Sequence, residues 1–456
     1  MTTATGPIGL EWWHPHRGEQ LAARATVEAP ESRQSPVPFG ALVAFTSIQL
    51  LAPQTLFPAL APLRPALLAA TLALVAHVYD CFVRRRPLLN LDAPNLLSMA
   101  LVGWAALTVP FSFWPGGSIS LLRDLYLKAL VIFWLLGSVL TTRTRLRSMC
   151  WLLTLLMIPL GVTAIRNFVN GDYVAGDFVA DQTLKRIIGY EAPLTQNPND
   201  LALMLNVGLP LGIGLLLSSE RPLARLFLAA VLGLDAAAVV LTFSRGGFLS
   251  LATTAVIYLV HLGRRGRWAW SVAALVLVLG VLPFLPQGYA DRLATISEID
   301  SDPTRSAQLR WVDMVEAVHF VFDNPLIGAG FGMNMLALND IRGLAWKEVH
   351  NTYLQYGMDL AFPGLLLFLS LFFCCLRNVG LVKTRSPDRA ARGELYCIAE
   401  SVQASLLMFA VAAMFHPVAY QFYFFYLAGL AVAARTVCET ETGGRIGSDS
   451  GPSVRH

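Results

Sequence analysis

Residues 241–267, LTFSRGGFLSLATTAVIYLVHLGRRGR, place an apolar run between a Ser-Arg-Gly-Gly sequence and a basic cluster. The apolar run is long enough for a helix to cross a bilayer, which takes ~20 residues. A second apolar run, 225–243, ends immediately before it, and only Ser244–Gly247 separates the two. This stretch therefore predicts two antiparallel transmembrane helices joined by a tight turn.

The composition of the whole chain is typical of a membrane protein. Of its 456 residues, 55% are hydrophobic and 14% are charged, and the mean hydropathy is +0.55. A soluble domain carries charge on about a quarter of its residues. The excess apolar surface must therefore be solvated by membrane lipids. The net charge of +4 is modest, and we expect no nucleic acid as a partner.

Apolar runs along the chain predict an all-α polytopic membrane protein with about twelve transmembrane helices. The predicted spans are residues 38–57, 65–83, 95–114, 122–141, 149–168, 199–218, 225–243, 247–263, 268–286, 361–379, 396–415 and 417–435. The predicted domains are a disordered tail (1–37), transmembrane helices one to nine (38–286), a long loop (287–360), transmembrane helices ten to twelve (361–435) and a second disordered tail (436–456).

The arginines between the spans predict the orientation of the chain. A basic connection follows every even-numbered span, as at Arg84–Arg86, Arg143–Arg147 and Arg264–Arg267. Basic loops stay in the cytoplasm, so we expect both termini to be cytoplasmic. The two long connections, 169–198 and 287–360, then face outward.

Arg245 is the first candidate for chemistry. A guanidinium at the outer membrane boundary costs a few kcal/mol unless it is paired or hydrated. Its planar fork suits a phosphate. Gly246 and Gly247 would allow a ligand to approach the backbone at the start of a helix. The alternative is an interfacial arginine that extends to the lipid headgroups.

His350 is the second candidate and lies in EVHNTYLQYGMDLAFPG. This sequence predicts a helix leading into the tenth span, on which Tyr353 and Leu354 would share a face with His350 and Glu348 would not. Histidine is the side chain most able to act as a base near neutral pH. The alternative is a hydrogen-bonded loop histidine without a catalytic role.

Further basic residues fall on the same predicted face. Lys185 and Arg186 lie in the first long outward connection, and Arg310 lies in the predicted amphipathic helix SAQLRWVDMVEA. Such a set suits an anionic, lipid-attached ligand, for which a pyrophosphate is a natural candidate. No HExxH, paired-cysteine, paired-acidic or Walker A sequence occurs on this face, so we expect no metal or nucleotide cofactor.

Four stretches together resemble the O-antigen ligase and polymerase superfamily of bacterial inner-membrane glycosyltransferases. They are TQNPNDLALMLNVGLPLG (195–212), LTFSRGGFLSL (241–251), NPLIGAGFGMN (324–334) and HNTYLQYGMDLAFPGLLL (350–367). The resemblance implies a metal-independent glycosyltransferase of the GT-C type. It also implies that the donor is an undecaprenyl-pyrophosphate-linked glycan presented in the periplasm.

The same resemblance implies roles for individual residues. Arg245 corresponds to the pyrophosphate-holding arginine of the family's Ser-Arg-Gly motif, and His350 to the essential histidine of the catalytic periplasmic loop. Arg310 corresponds to a second phosphate-facing arginine, whereas Lys185 and Arg186 are assigned more loosely. Direct displacement, with His350 accepting the proton of the acceptor hydroxyl, would invert the anomeric centre.

The leading expectation is an O-antigen ligase of the bacterial inner membrane, with lipid A–core as the acceptor and an active site facing the periplasm. An O-antigen polymerase and a protein O-oligosaccharyltransferase are alternatives from the same class. A transporter for a lipid-linked anion belongs to a different class and should place charges deep within its spans. Asp235 is the best such residue. One charge within the spans is few for a transporter, so the sequence favours an enzyme.

Overall fold

The computed structural model describes residues 35–174, 178–179, 182–183, 186–264, 272, 289, 306–343, 346–386 and 393–443. Most of the predicted ninth span, Lys185 and most of the two predicted tails lie outside these residues.

The described part of the chain is mainly helical. Its longer helices are α1 Pro36–Leu51, α2 Pro65–Val83, α3 Ala93–Thr108, α4 Leu127–Val139, α5 Arg143–Asn170, α6 Pro198–Ser218, α7 Pro222–Leu241, α8 Arg245–Arg264, α9 Ser306–Asp323, α10 Asn334–Arg342, α11 Thr352–Arg385, α12 Glu394–Ala412 and α13 Phe422–Thr442. Short helical pieces are Pro53–Leu56, Pro58–Leu63, Val109–Phe111, Pro115–Leu121 and Leu122–Tyr126. Two short strands, β1 Phe178–Val179 and β2 Gln182–Thr183, pair antiparallel with Phe178 opposite Thr183.

Nine helical stretches within the described residues are long and apolar enough to cross a membrane. They include all or most of α2, α3, α5 to α8 and α11 to α13, while α1 is apolar but shorter. Every predicted span apart from 268–286 coincides with a described helix, and the span at 122–141 falls on α4 and the short piece before it. The prediction of an all-α polytopic membrane protein is confirmed.

Local sequence fixes where several of these helices begin. The Asn197 side chain accepts a hydrogen bond from the Asn199 amide at 2.8 Å, and Pro198 occupies the first turn of α6. Both features favour a helix start, because the cap satisfies an otherwise unpaired amide and proline lacks one. Residues 197–199 therefore form a capping turn at the start of α6.

The centre of the helical bundle is formed by α6, α12 and α13. Within the described residues, the apolar window of α13 is 83% buried, against 22% for that of α8, so α13 is enclosed by protein to a much greater extent than α8. Small residues allow close helix packing. A Cβ atom on Gly214 of α6 would lie 2.6 Å from Cβ of Ser401 on α12.

Ion pairs lie at one end of the bundle. Arg143 at the start of α5 lies 2.6 Å from Glu441 near the end of α13, and Arg147 lies 2.9 Å from Glu394 at the start of α12. The other ends of these three helices lead into the connections that hold the candidate site.

α11 is broken at Ala361, whose φ of 55° and ψ of −161° are not helical. Residues 352–360 therefore form a separate segment before the membrane-spanning part, and the predicted start of the tenth span at 361 coincides with the break. The glycine-rich turn of residues 324–334 packs against this segment, since the Ala329 amide donates to the Met358 carbonyl at 2.7 Å. Gly328, Gly330 and Gly332 all have positive φ, a conformation that glycine adopts at little cost.

Candidate active site

His350 lies in a non-helical segment immediately before α11. The predicted helical position of His350 is wrong, because Asn351 caps α11 by accepting hydrogen bonds from the amides of Tyr353 and Leu354. Nδ1 of His350 lies 2.9 Å from the Glu348 carbonyl oxygen. A carbonyl oxygen can only accept, so Nδ1 carries the proton. In the neutral ring, Nε2 then has the lone pair that could act as a base.

The surroundings of His350 favour its neutral form. Burial lowers the pKa of His350 to about 4, and the positive charge of Arg310 acts in the same direction. His416 and Lys347 add smaller effects of the same sign. The imidazole is therefore uncharged at neutral pH and available to accept a proton.

His416 lies beside this histidine and was not predicted from the sequence. It occupies the turn between α12 and α13, where only 3% of the residue is exposed. Nδ1 lies 2.9 Å from the Ala412 carbonyl oxygen, and Nε2 lies 3.3 Å from that of Asn199. Burial lowers the pKa of His416. The ring therefore joins the start of α6 to the turn that follows α12.

Arg245 is the first residue of α8, as the tight turn predicted. Ser244 caps the helix, because its Oγ accepts a hydrogen bond from the Gly247 amide at 3.1 Å. A Cβ atom on Gly246 would lie 3.0 Å from Cε1 of His416, which is closer than ordinary packing allows. Glycine at this position therefore lets the buried histidine approach the backbone beside Arg245.

Arg186, in the first long connection, contacts Asn199 beside His416. Its Nη2 donates to Oδ1 of Asn199 at 2.8 Å, and the carbonyl oxygen of Asn199 faces His416. Asp200, next in sequence, interacts electrostatically with both Arg186 and Glu348. Burial, with a smaller contribution from Asp200, raises the pKa of Glu348. Carboxylates therefore accompany the basic groups at this site.

Arg310 lies half-buried on α9. Its positive charge influences both His350 and His416, so it lies close to the two imidazoles. The structure thus gathers Arg186, Arg310 and His350 around His416, with Arg245 adjacent through Gly246. Lys185, predicted for the same site, lies outside the described residues.

This arrangement can bind an anion and accept a proton. Guanidinium groups form paired, charge-assisted hydrogen bonds with phosphate oxygens, and a neutral imidazole is a suitable general base. Among the described residues, no group of three His, Cys, Asp or Glu side chains has a geometry that could hold a metal ion.

The fold and the site define a polytopic membrane protein with a basic, histidine-containing site at one end of its helical bundle. The sequence model of a family described as O-antigen ligase matches residues 228–369, a stretch that includes Arg245, Arg310 and His350. The match confirms, over this part of the chain, the predicted resemblance to the O-antigen ligase and polymerase superfamily. Members of the family are glycosyltransferase-like enzymes whose substrates are, in general terms, lipid-linked glycans and lipid acceptors. No curated protein matches the chain.

Proposed function

We propose that the protein is an O-antigen ligase that moves a glycan from undecaprenyl pyrophosphate to lipid A–core during lipopolysaccharide maturation. The observation that supports this most directly is the meeting of arginines from separate parts of the chain with a neutral histidine. Arg186, Arg245 and Arg310 come from the connection before α6, the start of α8 and α9. Such a set suits a diphosphate leaving group and an acceptor hydroxyl.

The arginines have the first role in the proposed reaction. Arg245, Arg310 and Arg186, together with Lys185, hold the pyrophosphate of the donor. The bond from the sugar C1 to the phosphate oxygen is already activated, and its cleavage leaves negative charge on the pyrophosphate. Guanidinium groups in a partly dehydrated site stabilise this charge, which is the chemistry that a metal ion supplies elsewhere.

His350 has the second role, as the general base. The acceptor hydroxyl oxygen attacks C1 as its proton passes to Nε2 of His350, and the C1–oxygen bond breaks with its electron pair on the leaving undecaprenyl pyrophosphate. A single displacement of this kind inverts the anomeric centre. Burial and the charge of Arg310 keep His350 neutral at neutral pH, and the negative charge of a bound diphosphate would raise the pKa of the imidazole towards the range of an effective base.

The proposed location is the bacterial inner membrane, with both termini in the cytoplasm and the site facing the periplasm. The basic connections predicted to be cytoplasmic support this orientation, because they follow the helix ends opposite the site. Lipid-linked donors then reach the arginines from the surrounding bilayer.

The test measures transfer of the glycan by the purified protein, which is incubated with an undecaprenyl-pyrophosphate-linked glycan and with one acceptor at a time. We expect product on lipid A–core and loss of about 100- to 10,000-fold in rate for His350→Ala, since a general base contributes that much. Arg245→Gln should weaken donor binding by about 10- to 100-fold, the worth of a charge-assisted hydrogen bond.

Other products would identify the alternative functions. Lengthening of the glycan on its own carrier would indicate a polymerase, and transfer to a protein would indicate an O-oligosaccharyltransferase. A transporter would leave the donor unconsumed in detergent. Full activity of His350→Ala would refute the role of the base.

A further inference from the structure

Asp359 is a fully buried acid close to the proposed site, on the 352–360 segment of α11. It accepts a hydrogen bond from the backbone amide of Asn334 at 2.6 Å and from its Nδ2 at 3.1 Å. It also accepts a hydrogen bond from the Tyr420 hydroxyl at 3.0 Å. The acid is thus bound to the last residue of the glycine-rich turn and to the turn before α13.

Asn334 connects this acid to the histidine segment, the non-helical residues 346–351 that include His350. Its Oδ1 accepts a hydrogen bond at 3.2 Å from the amide of Val349, the residue before His350. Asn334 and Val349 are both buried. The side-chain amide of Asn334 therefore bridges Asp359 and the backbone that leads into His350.

The direction of this bridge depends on the carboxyl group. The amide of an asparagine has a donor end and an acceptor end. Because Asp359 presents acceptor oxygens, Nδ2 of Asn334 turns towards it, and Oδ1 must then face the Val349 amide. An asparagine at position 359 has a single acceptor oxygen, so it cannot accept from both Asn334 and Tyr420 as the two carboxylate oxygens do, and the bridge would be weakened.

The segment is also held on its other side. The Thr352 amide donates to the Ala413 carbonyl at 2.8 Å, and Thr352 Oγ1 donates to the His416 carbonyl at 2.7 Å. His350 thus lies between two fixed points of the backbone, Val349 and Thr352. Release of the Val349 side would let the imidazole move relative to Arg310 and His416.

We infer that Asp359 and Asn334 are positioning residues, which hold the imidazole of His350 where the acceptor hydroxyl loses its proton. The inference rests on the proposed function, because it assumes that His350 is the general base of the transfer reaction. Neither residue contacts the ligand, since both are buried behind the segment that carries His350. Both act on the rate through His350 and leave the arginines that hold the donor in place.

The first test measures kcat and the KM for donor lipid in the variants Asn334→Ala and Asp359→Asn and compares them with the wild type. Asp359→Asn preserves the volume of the side chain. We expect kcat to fall by about 100-fold, since a displacement of ~1 Å at a reacting group can cost that much. The KM should stay within about twofold. Tyr426→Phe is the control, because it removes a buried hydrogen bond to Thr46, 3.0 Å long, between α13 and α1.

A second measurement does not depend on activity. Diethyl pyrocarbonate modifies accessible neutral imidazoles, and peptide mass spectrometry can follow His350 among the eight histidines of the chain. We expect His350 to react several-fold faster in Asn334→Ala and Asp359→Asn than in the wild type, and Tyr426→Phe to show no change.

The outcomes separate the inference from the proposed function. A wild-type protein that transfers to no acceptor, together with faster modification of His350 in the two variants, would refute the function and support the positioning bridge. Wild-type kcat and wild-type His350 reactivity in both variants would overturn the inference. It would also be overturned if kcat fell only in proportion to thermal stability, as in Tyr426→Phe.

Discussion

At the scale of single residues, the charge near His350 determines the pH at which it can accept a proton. Burial lowers the pKa of His350 to about 4, and Arg310 contributes because a positive neighbour disfavours the imidazolium. Removing that charge in Arg310→Gln should raise the pKa of His350 towards the ordinary histidine value of 6.5. The neutral base exists only above its pKa, so the acid limb of kcat/KM should move to higher pH.

This shift can be measured by NMR titration of histidine-labelled protein, with His350→Gln used to assign the signal. Arg310→Lys is the matched control, because it keeps the positive charge and should leave the pKa of His350 low. An unchanged titration of His350 in Arg310→Gln would contradict the electrostatic link between the two residues.

Gly246 provides a steric prediction about the approach of His416 to Arg245. A Cβ atom there would lie 3.0 Å from Cε1 of His416 and 3.3 Å from Cβ of Phe415, so one of these groups must move. Gly246→Ala should therefore weaken donor binding severalfold. Gly233→Ala is the control, since its Cβ atom would have no neighbour within 4 Å and alanine favours a helix by about 0.5–1 kcal/mol.

Binding of the donor lipid to the two alanine variants checks this prediction, and their melting temperatures separate local from global effects. We expect Gly233→Ala to bind as the wild type does and to melt at the same or a higher temperature. Equal donor affinity of all three proteins would mean that the contact between Gly246 and His416 is not needed for binding.

The sequence predicted the residues whose roles depend on near neighbours and missed those that depend on distant ones. Arg245 stands out because glycines follow it between two apolar runs, and the cap at Asn197 is formed within two residues. His416 contacts Asn199, which lies 217 positions away in the sequence. No local sequence pattern can predict a contact between residues so far apart. Asp359 lies within a quoted motif, but only the fold brings the Tyr420 hydroxyl to it.

At the scale of elements, the boundary of α11 shows how local and tertiary effects compete. The predicted start of the tenth span at 361 coincides with the backbone break, because proline at 363 disfavours continuation of the preceding helix. The predicted helix through His350 is wrong because Asn351 ends the backbone pairing on that side. Apolar periodicity therefore located the span but not the shorter segment that precedes it.

The glycine-rich turn should respond to a substitution at Gly330 through packing as well as conformation. Gly330 has a φ of +88°, and a Cβ atom there would lie 2.2 Å from Cβ of Ser112. Gly343 has a φ of +58°, with open space around it. Both alanine variants bear the left-handed penalty of about 1–2 kcal/mol, but only Gly330→Ala must also displace the 109–118 region.

Thermal unfolding of the purified protein measures the difference. We expect Gly330→Ala to melt at a clearly lower temperature than Gly343→Ala and to lose transfer activity, because this turn contacts the segment that leads from His350. Equal melting temperatures would show that packing between the turn and Ser112 adds nothing beyond the cost of the backbone conformation.

At the scale of the whole molecule, the two ends of the bundle have different electrostatic characters. At one end, Arg143 and Arg147 are paired with carboxylates of α13 and α12, so their charges are largely compensated within the protein. At the other end, Arg310 acts on two neutral histidines. Guanidinium groups from separate parts of the chain meet at this end and suit the oxygens of a lipid diphosphate, which favours the second end as the donor site.

The orientation of the chain is the prediction on which the proposed periplasmic reaction depends. Glu191 precedes α6 and Glu220 follows it, both residues are exposed, and the length of a membrane-spanning helix separates them. A membrane-impermeant maleimide should label Glu191→Cys in cells with an intact inner membrane and Glu220→Cys only after permeabilisation. The unsubstituted protein is the blank, because five of its six cysteines are buried and Cys374 is partly so. The reverse labelling pattern would place His350 and the arginines on the cytoplasmic side, where no donor exported to the periplasm could reach them.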